Sequence, residues 1–525
     1  MPKPVTCLPH PDRTIIAATT TAIATRRTFL SFATARAAVA ALACAFALHL
    51  AFPPAGWWWL APFAFAGLFA SWWSVAPRSG GLLGYASGLA FFVVGFSYFG
   101  NTAGSLVGPF APLLDLGPAA VESVAFAFAA LATSLAARRC DPRVVPLVAA
   151  AAFTLAEQLR STGVLGVPCE QIGIAMIDSP LRALAAYGGG YALTFVTALL
   201  GASLAWWLTR MRDRARLATA LVAWTAVAAC ALAAWIAWPA RHYAPPHERV
   251  AAVQGGIEQS LKRSAHGLTV ALTTYDMMTR ALRAQHPAIV LWPETVITAD
   301  LKDEPALRAR FATLADSLRT TLYAGGFWDD GTRLENALLI FDGRLGTADV
   351  RGLYVKEALV PFAEWLPGPA WLRALPLASN IGPFAPGHND IETVYGATPL
   401  ICWESLFGDI AHARLAEGTT LFLVATDDAW FGRTEFPYEH AMAASLRAVE
   451  TGRWVLQAAA TGISGIVAPD GTWTKRSALG GRALVVGDVG PPAPALYARL
   501  GPGPVGWALA LAVVLPFVRV RRRRP

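Results

Sequence analysis

Pro399-Leu400-Ile401-Cys402-Trp403-Glu404 is an apolar run that ends on a cysteine and a carboxylate. The run has the length of a buried strand, and the residues after it follow a helical pattern. Cys402 therefore falls at a strand-to-helix turn, where the positive helix end favours thiolate. A lone cysteine is more often a small core hydrophobe, and Cys402 taken alone reads that way. Outward from it, residues 248–490 alternate short β-type runs with helical patterns. Strands are expected at 250–254, 288–292, 321–328, 336–341, 398–402, 420–426, 454–459 and 483–489, and helices near 268–285, 305–319, 405–417 and 437–451. Pro469-Asp470-Gly471 reads as a turn. This is a mixed α/β domain.

The rest of the 525 residues have another character. AVILMFWYC make 55% of the chain and charged residues 15%, where about 25% charged is usual for a soluble domain. That much apolar surface excludes intrinsic disorder and implies contact with lipid. Stretches near the 20 or so residues that a bilayer span needs lie at 34–51, 57–75, 81–100, 118–137, 143–159, 190–208, 217–238 and 503–519. The net charge of +8 reads as membrane flanks rather than as a nucleic-acid surface. Arg78, Arg138, Arg139, Arg143, Arg210, Arg212, Arg214, Arg216 and the Arg521–Arg524 run fall on one side of the spans, whereas Asn101 to Gly117 has no Lys or Arg. The positive-inside rule then puts both termini in the cytoplasm and residues 239–502 outside. Thr25-Arg26-Arg27-Thr28-Phe29-Leu30 resembles a twin-arginine signal, but reads as a basic flank before the first span. The first 25 residues read as a disordered extension. The six cysteines (7, 44, 140, 169, 230 and 402) contain no CxxC pair, so no zinc or thioredoxin motif is present.

Two further strand ends carry chemistry. Glu294 follows Val290-Leu291-Trp292-Pro293, where its pKa is expected to rise towards a base's working range; a solvated loop acid is the alternative. Lys356 closes Leu353-Tyr354-Val355-Lys356, where an ammonium would stabilise an oxyanion; an exposed edge-strand lysine is the alternative. Each bland reading is individually the commoner one. Glu, Lys and Cys on three successive strand ends are much less common.

Trp292-Pro293-Glu294-Thr295, Lys356 with Leu359-Val360-Pro361-Phe362-Ala363-Glu364, and Ile401-Cys402-Trp403-Glu404 resemble the Glu-Lys-Cys triad of the nitrilase superfamily. Asp428-Ala429-Trp430-Phe431-Gly432, His440, Arg447-Ala448-Val449-Glu450 and Gly462-Ile463-Ser464 narrow the resemblance. So do Glu157-Gln158-Leu159-Arg160 and Gly166-Val167-Pro168 before the sixth span. Over residues 35–520 the chain resembles the apolipoprotein N-acyltransferase family.

The resemblance implies an integral membrane α-helical bundle of about eight spans with an extramembrane α-β-β-α sandwich. Residues 1–33 would be an N-terminal extension, 34–238 the bundle, 239–502 the periplasmic catalytic domain, and 503–525 the last helix and basic tail. It makes Cys402 the nucleophile, Glu294 the base and Lys356 the oxyanion stabiliser, supported by Glu364 and Glu404. Asn336, Trp365, Trp371, Trp403 and Trp430 are substrate-binding candidates. It implies a phospholipid acyl donor, a diacylated lipoprotein acceptor and a Cys thioester in the inner membrane, with no metal or cofactor; nothing in the sequence demands more than a monomer, and oligomeric state stays open. A membrane-tethered amidase using water is the rival reading, and a silent scaffold a third. The chain departs from the family at Gly256 and Glu258, at Trp403, at Val424 and Asp427 (both Asn in the family), and at Gln457. Between Glu364 and Gly387, the residues Trp365, Leu366, Pro367, Trp371, Leu372, Leu375, Leu377, Ile381 and Phe384 suggest a membrane-facing arm; folding back onto the α/β core is the alternative.

The arginine asymmetry is directly testable. A reporter fused after Gly490 is expected to behave as exported, and cytoplasmic behaviour there would overturn the orientation.

Overall fold

The computed structural model describes residues 35–100, 113–209, 211–346, 349–369, 371, 373, 381–387 and 394–521. The N-terminal extension, most of the Asn101–Gly117 loop, the end of the basic tail, and Leu372, Leu375 and Leu377 lie outside the described residues.

Helices occupy the apolar stretches: Ala35–His49, Ala61–Ser74, Pro77–Gly95, Leu113–Arg139, Val145–Arg160, Ala185–Leu208, Arg214–Ala237 and Pro502–Arg521. Among the described residues, three segments are long and apolar enough to cross a membrane: Asp115–Arg139, Arg182–Leu208 and Arg214–His242. Proline opens several helices, at Pro62, Pro77 and Pro146, where its missing N–H costs nothing. Asp213 caps Arg214–Ala237 by accepting the Ala215 and Arg216 N–H groups at 3.0 and 3.3 Å. Pro77–Gly95 lies close against Leu113–Arg139 through small residues. A Cβ on Gly84 would sit 2.4 Å from that of Ala130, which is the backbone-to-backbone approach that apolar helices use in lipid.

The second region is a two-sheet sandwich. Its strands are β1 (Glu248–Gln254), β2 (Ile289–Leu291), β3 (Ile297–Asp300), β4 (Thr321–Asp329), β5 (Leu334–Asp342), β6 (Gly352–Val355), β7 (Ala397–Ile401), β8 (Leu421–Thr426), β9 (Trp454–Ala459), β10 (Gly465–Val467), β11 (Trp473–Arg476) and β12 (Ala483–Val489). One sheet runs β12-β1-β2-β4-β5-β6 with β3 beside β4; the other runs β11-β10-β9-β8-β7. Alternation along each strand builds the layers. Val250 and Ala252 face Leu423, Ala425 and Leu456 between the sheets. Ala251 and Val253 face outward onto helices Gly267–Arg280 and Pro305–Leu318. Leu400, Phe422 and Val424 face Ala444 and Ala448 of the helix Phe436–Thr451. The layering is thus α-β-β-α.

Strands β3, β6, β10 and β11 are only three or four residues long, so β3, β10 and β11 leave no period to read in the sequence. The helix expected over 405–417 is broken into a 3₁₀ turn Cys402–Leu406, a helix Gly408–Ala413 and a second 3₁₀ turn Arg414–Glu417. Phe407 is extended between the first two. Cys402 therefore heads one tight turn rather than a helix with a macrodipole.

The sandwich sits on the bundle through both apolar and polar contacts. Trp403, Leu406, Phe407 and Phe436 share a core with the bundle helices. Glu439 accepts the Glu170 N–H at 2.6 Å, and Glu450 accepts the Gly190 N–H at 2.7 Å. The Arg160 guanidinium donates to the carbonyls of Val167, Cys169 and Glu170 and to Glu122, which accounts for the polar motif at that bend.

Parallel strands β1, β2 and β4 lie at the centre of one sheet, and parallel β7, β8 and β9 run to the edge of the other. The chain leaving β2 passes so close to β4 that a Cβ on Gly325 would fall 2.1 Å from the Pro293 carbonyl and 2.8 Å from the Glu294 Cα. Backbone cannot yield as a side chain does. Gly325→Ala is expected to destabilise the domain by about 1–3 kcal/mol and to displace Glu294. Thermal unfolding in detergent, with the reactivity of Cys402, checks both.

Candidate active site

Glu294 leaves the C-terminal end of β2, Lys356 that of β6, and Cys402 that of β7. The structure brings the three together with Glu364. Lys356 Nζ lies 3.0 Å from Glu294 Oε1 and 2.9 Å from Glu364 Oε1. Asn336, on β5, donates Nδ2 to the same two oxygens at 2.7 and 3.1 Å. Glu294 Oε2 accepts the Asp427 N–H at 2.9 Å, and Glu364 Oε2 accepts the Val360 N–H at 2.8 Å. Asn336, a substrate-binding candidate, thus bridges the two carboxylates that share the Lys356 ammonium.

The charges follow from this geometry. Burial pushes Glu294 up, but the ammonium of Lys356, the Asn336 amide and the Asp427 N–H outweigh it, and the carboxyl sits below its ordinary value. That reverses the rise expected from the apolar strand end. Burial would lower Lys356, yet Glu294 and Glu364 hold it well above the usual lysine range. Cys402 is raised well above a free thiol by burial and by Glu294, against the pull of Lys356. The resting site thus holds a thiol, not the thiolate that a helix end would have favoured.

Cys402 has φ +51°, a left-handed conformation for a residue with a Cβ, as strained nucleophile turns have. Two sets of contacts hold it. Glu404 accepts the Ile401 N–H at 2.7 Å, the Tyr354 hydroxyl at 2.7 Å, and the Glu357 and Ala358 N–H groups at 2.6 and 3.2 Å. It therefore ties the Cys402 turn to the segment carrying Lys356. On the other side, His440 Nε2 lies 2.9 Å from the Cys402 carbonyl and 2.8 Å from Ser405 Oγ, while Nδ1 lies 2.9 Å from Asp428 Oδ1. The sequence shows His440 only as part of a motif; its orientation comes from Asp428, twelve residues earlier.

The tryptophans separate. Trp403 is buried edge-on to Phe407, at 6.1 Å between rings, in the core shared with the bundle; it packs rather than lining a pocket. Trp430 is partly exposed, with the Arg263 guanidinium 5.8 Å from its ring. Trp365 donates Nε1 to the Leu359 carbonyl at 3.2 Å. Trp371 is 64% exposed. The arm is thus divided: Phe384 returns to the sandwich beside Leu334 and Phe327, whereas Trp371 faces outward. Among the departures, Gln457 donates to the Ile463 carbonyl at 2.8 Å, and Asp427 pairs with Lys262 at 2.5 Å.

Two family models match the chain: the apolipoprotein N-acyltransferase N-terminal domain over residues 44–203, and carbon-nitrogen hydrolase over residues 249–492. The apolipoprotein N-acyltransferase of Azotobacter vinelandii is 32% identical over 465 residues, covering 86% of this chain and 89% of its own length. That of Methylococcus capsulatus is 30% identical, covering 93% and 97%. That of Pseudomonas syringae pv. tomato is 29% identical, covering 91% and 95%. Among solved structures, an amidase from Nesterenkonia sp. AN1 aligns with 50% of this chain and 99% of its own, at 20% identity and a TM-score of 0.36.

His440 generates a pH-dependent prediction. Burial alone would lower its pKa, but Asp428 and the Cys402 carbonyl raise it above the ordinary 6.5. Its contribution to stability is therefore complete below about pH 6.5 and lost as pH rises through the folded value. His440→Asn is expected to cost roughly 3 kcal/mol at acid to neutral pH, because Asp428 loses its buried partner. Its penalty should shrink as pH rises, as thermal unfolding at pH 6 and pH 9 would measure.

Proposed function

The chain belongs to the apolipoprotein N-acyltransferase family, and from that premise we propose that Cys402 carries an acyl group, as a thioester, from a phospholipid to the amino terminus of a diacylated lipoprotein. The observation that supports this most is the buried ammonium of Lys356 shared by Glu294 and Glu364, beside a cysteine on a strained turn. Cys402 attacks the ester carbonyl and its proton passes to Glu294, which is ionised at rest. Lys356 stabilises the oxyanion. As the tetrahedral adduct collapses, Glu294 returns the proton to the departing lysophospholipid alkoxide. The α-amine of the acceptor then attacks the thioester, gives a proton to Glu294, and releases the amide as the thiol re-forms. In this reading eight helices span the cytoplasmic membrane with residues 239–502 on the far side. Glu404 and His440 hold the nucleophile turn, and Trp371 offers apolar surface to the arriving chain.

Purified protein incubated with labelled phospholipid is expected to accumulate label on Cys402 and to pass it to a diacylated lipopeptide. Release to water alone would favour a hydrolase. Cys402→Ser should form no thioester, and label accumulating on it would remove Cys402 from the reaction. Glu294→Gln and Lys356→Met, each folded, should lose on the order of 10²–10⁴ in rate.

A further inference from the structure

Lys262 ends a one-turn helix, Gln259–Lys262, that follows β1. Its ammonium is almost fully buried, 2.5 Å from Asp427 Oδ2 and 2.8 Å from Thr295 Oγ1. These two partners flank the base. Thr295 follows Glu294 in the chain and is held at φ +45°, left-handed for a β-branched residue. Asp427 supplies the backbone N–H that Glu294 Oε2 accepts. Lys262 therefore grips both neighbours of Glu294, and no hydrogen bond or ion pair joins it to Glu294 itself.

The charge count shows what this grip does. Facing Glu294 are Lys356, Glu364 and Asp427, with Cys402 and His440 within its field, while Asp428 acts on Asp427, Cys402 and His440. Burial, Glu294 and Asp428 all push the Asp427 carboxyl up, and Lys262 pulls against them. Without Lys262 that carboxylate would sit beside Glu294 with no cation of its own, and for as long as it stays charged it raises the proton affinity of Glu294. Lys356 cannot serve both, since Glu294 and Glu364 already occupy it.

We propose that Lys262 is a positioning residue for the reaction: by neutralising Asp427 and anchoring Thr295, it keeps Glu294 ionised and aimed at the Cys402 thiol. The assignment rests on Glu294 being the base. It is tested by the pH profile of kcat/KM for acyl transfer in the full-length protein, on phospholipid vesicles with a diacylated lipopeptide as acceptor. In Lys262→Met, the acid limb should move up by about one pH unit and the rate at neutral pH should fall roughly tenfold or more. Lys262→Arg should retain the wild-type limb. The double variant Lys262→Met/Asp427→Asn removes both charges and keeps the N–H at 427; it should return the limb to its wild-type position and recover most of the rate. If Lys262→Met does not accumulate folded, Lys262→Gln takes its place under the same criteria. An acid limb that does not move when the charge is removed, or a double variant no better than the single one, overturns the proposal. Glu294→Gln run alongside separates the two levels. If it is active, the base assignment falls. If it is inactive while the Lys262 variants keep the wild-type limb, only the role of Lys262 falls.

Discussion

A lysine ammonium stripped of water sits between two carboxylates, and much of the sandwich is arranged to make that tolerable. Desolvating Lys356 costs several kcal/mol unless the geometry of its partners is good. Glu294 and Glu364 provide that geometry at 3.0 and 2.9 Å, and the Asn336 amide fixes the same two oxygens in place. The arrangement requires three chain segments in fixed register. Asn336 and Lys356 belong to adjacent antiparallel strands, with the Lys356 N–H donating to the Asn336 carbonyl at 2.9 Å. Glu294 reaches them only because the chain leaving β2 can press against Gly325. A slip of one residue in β5 or β6 would turn Asn336 or Lys356 to the opposite face.

The same triangle sets the resting chemistry. Glu294 is ionised but engaged by Lys356, and Cys402 holds its proton. In the proposed reaction, the carbonyl oxygen gains negative charge as sulfur attacks, and Lys356 acquires a new partner. Its hold on Glu294 weakens as it does so, and the proton affinity of Glu294 rises when the thiol proton needs an acceptor. In this reading nucleophile activation is coupled to oxyanion formation.

Much of this was legible in the chain. Strand ends bearing Glu294, Lys356 and Cys402 stand out because an apolar run terminating in a charge or a thiol is visible without a structure. The apolar stretches are visible for the same reason, and helices lie on each of them. What could not be read arises between segments. The ionised state of Glu294 depends on Lys356 and Asn336, 62 and 42 residues away. The positive φ of Cys402 depends on Glu404 reaching three backbone N–H groups. Lys262 belongs to no chemical motif by itself; its pairing with Asp427 across 165 residues gives it meaning. Trp403 stands out in the sequence as a substrate-binding candidate, but the packing of its ring at the junction with the bundle depends on distant segments.

That junction bears on why such a triad is joined to membrane helices at all. Glu-Lys-Cys chemistry is as suited to passing an acyl group to water as to an amine, so the triad does not choose the acceptor. Exposure does. Glu294 is 5% exposed and Cys402 7%, and the turn after Cys402 is clamped from the bundle side. Leu406 and Phe407 pack among the bundle helices, and the Leu406 carbonyl accepts from Arg447 at 3.0 Å. A thioester formed there is shielded by protein on one side and, in the proposed reading, by its own acyl chain on the other. Excluding water from such an intermediate favours whichever nucleophile can enter with apolar surface of its own. A diacylated amino terminus brings that surface with it, and water does not.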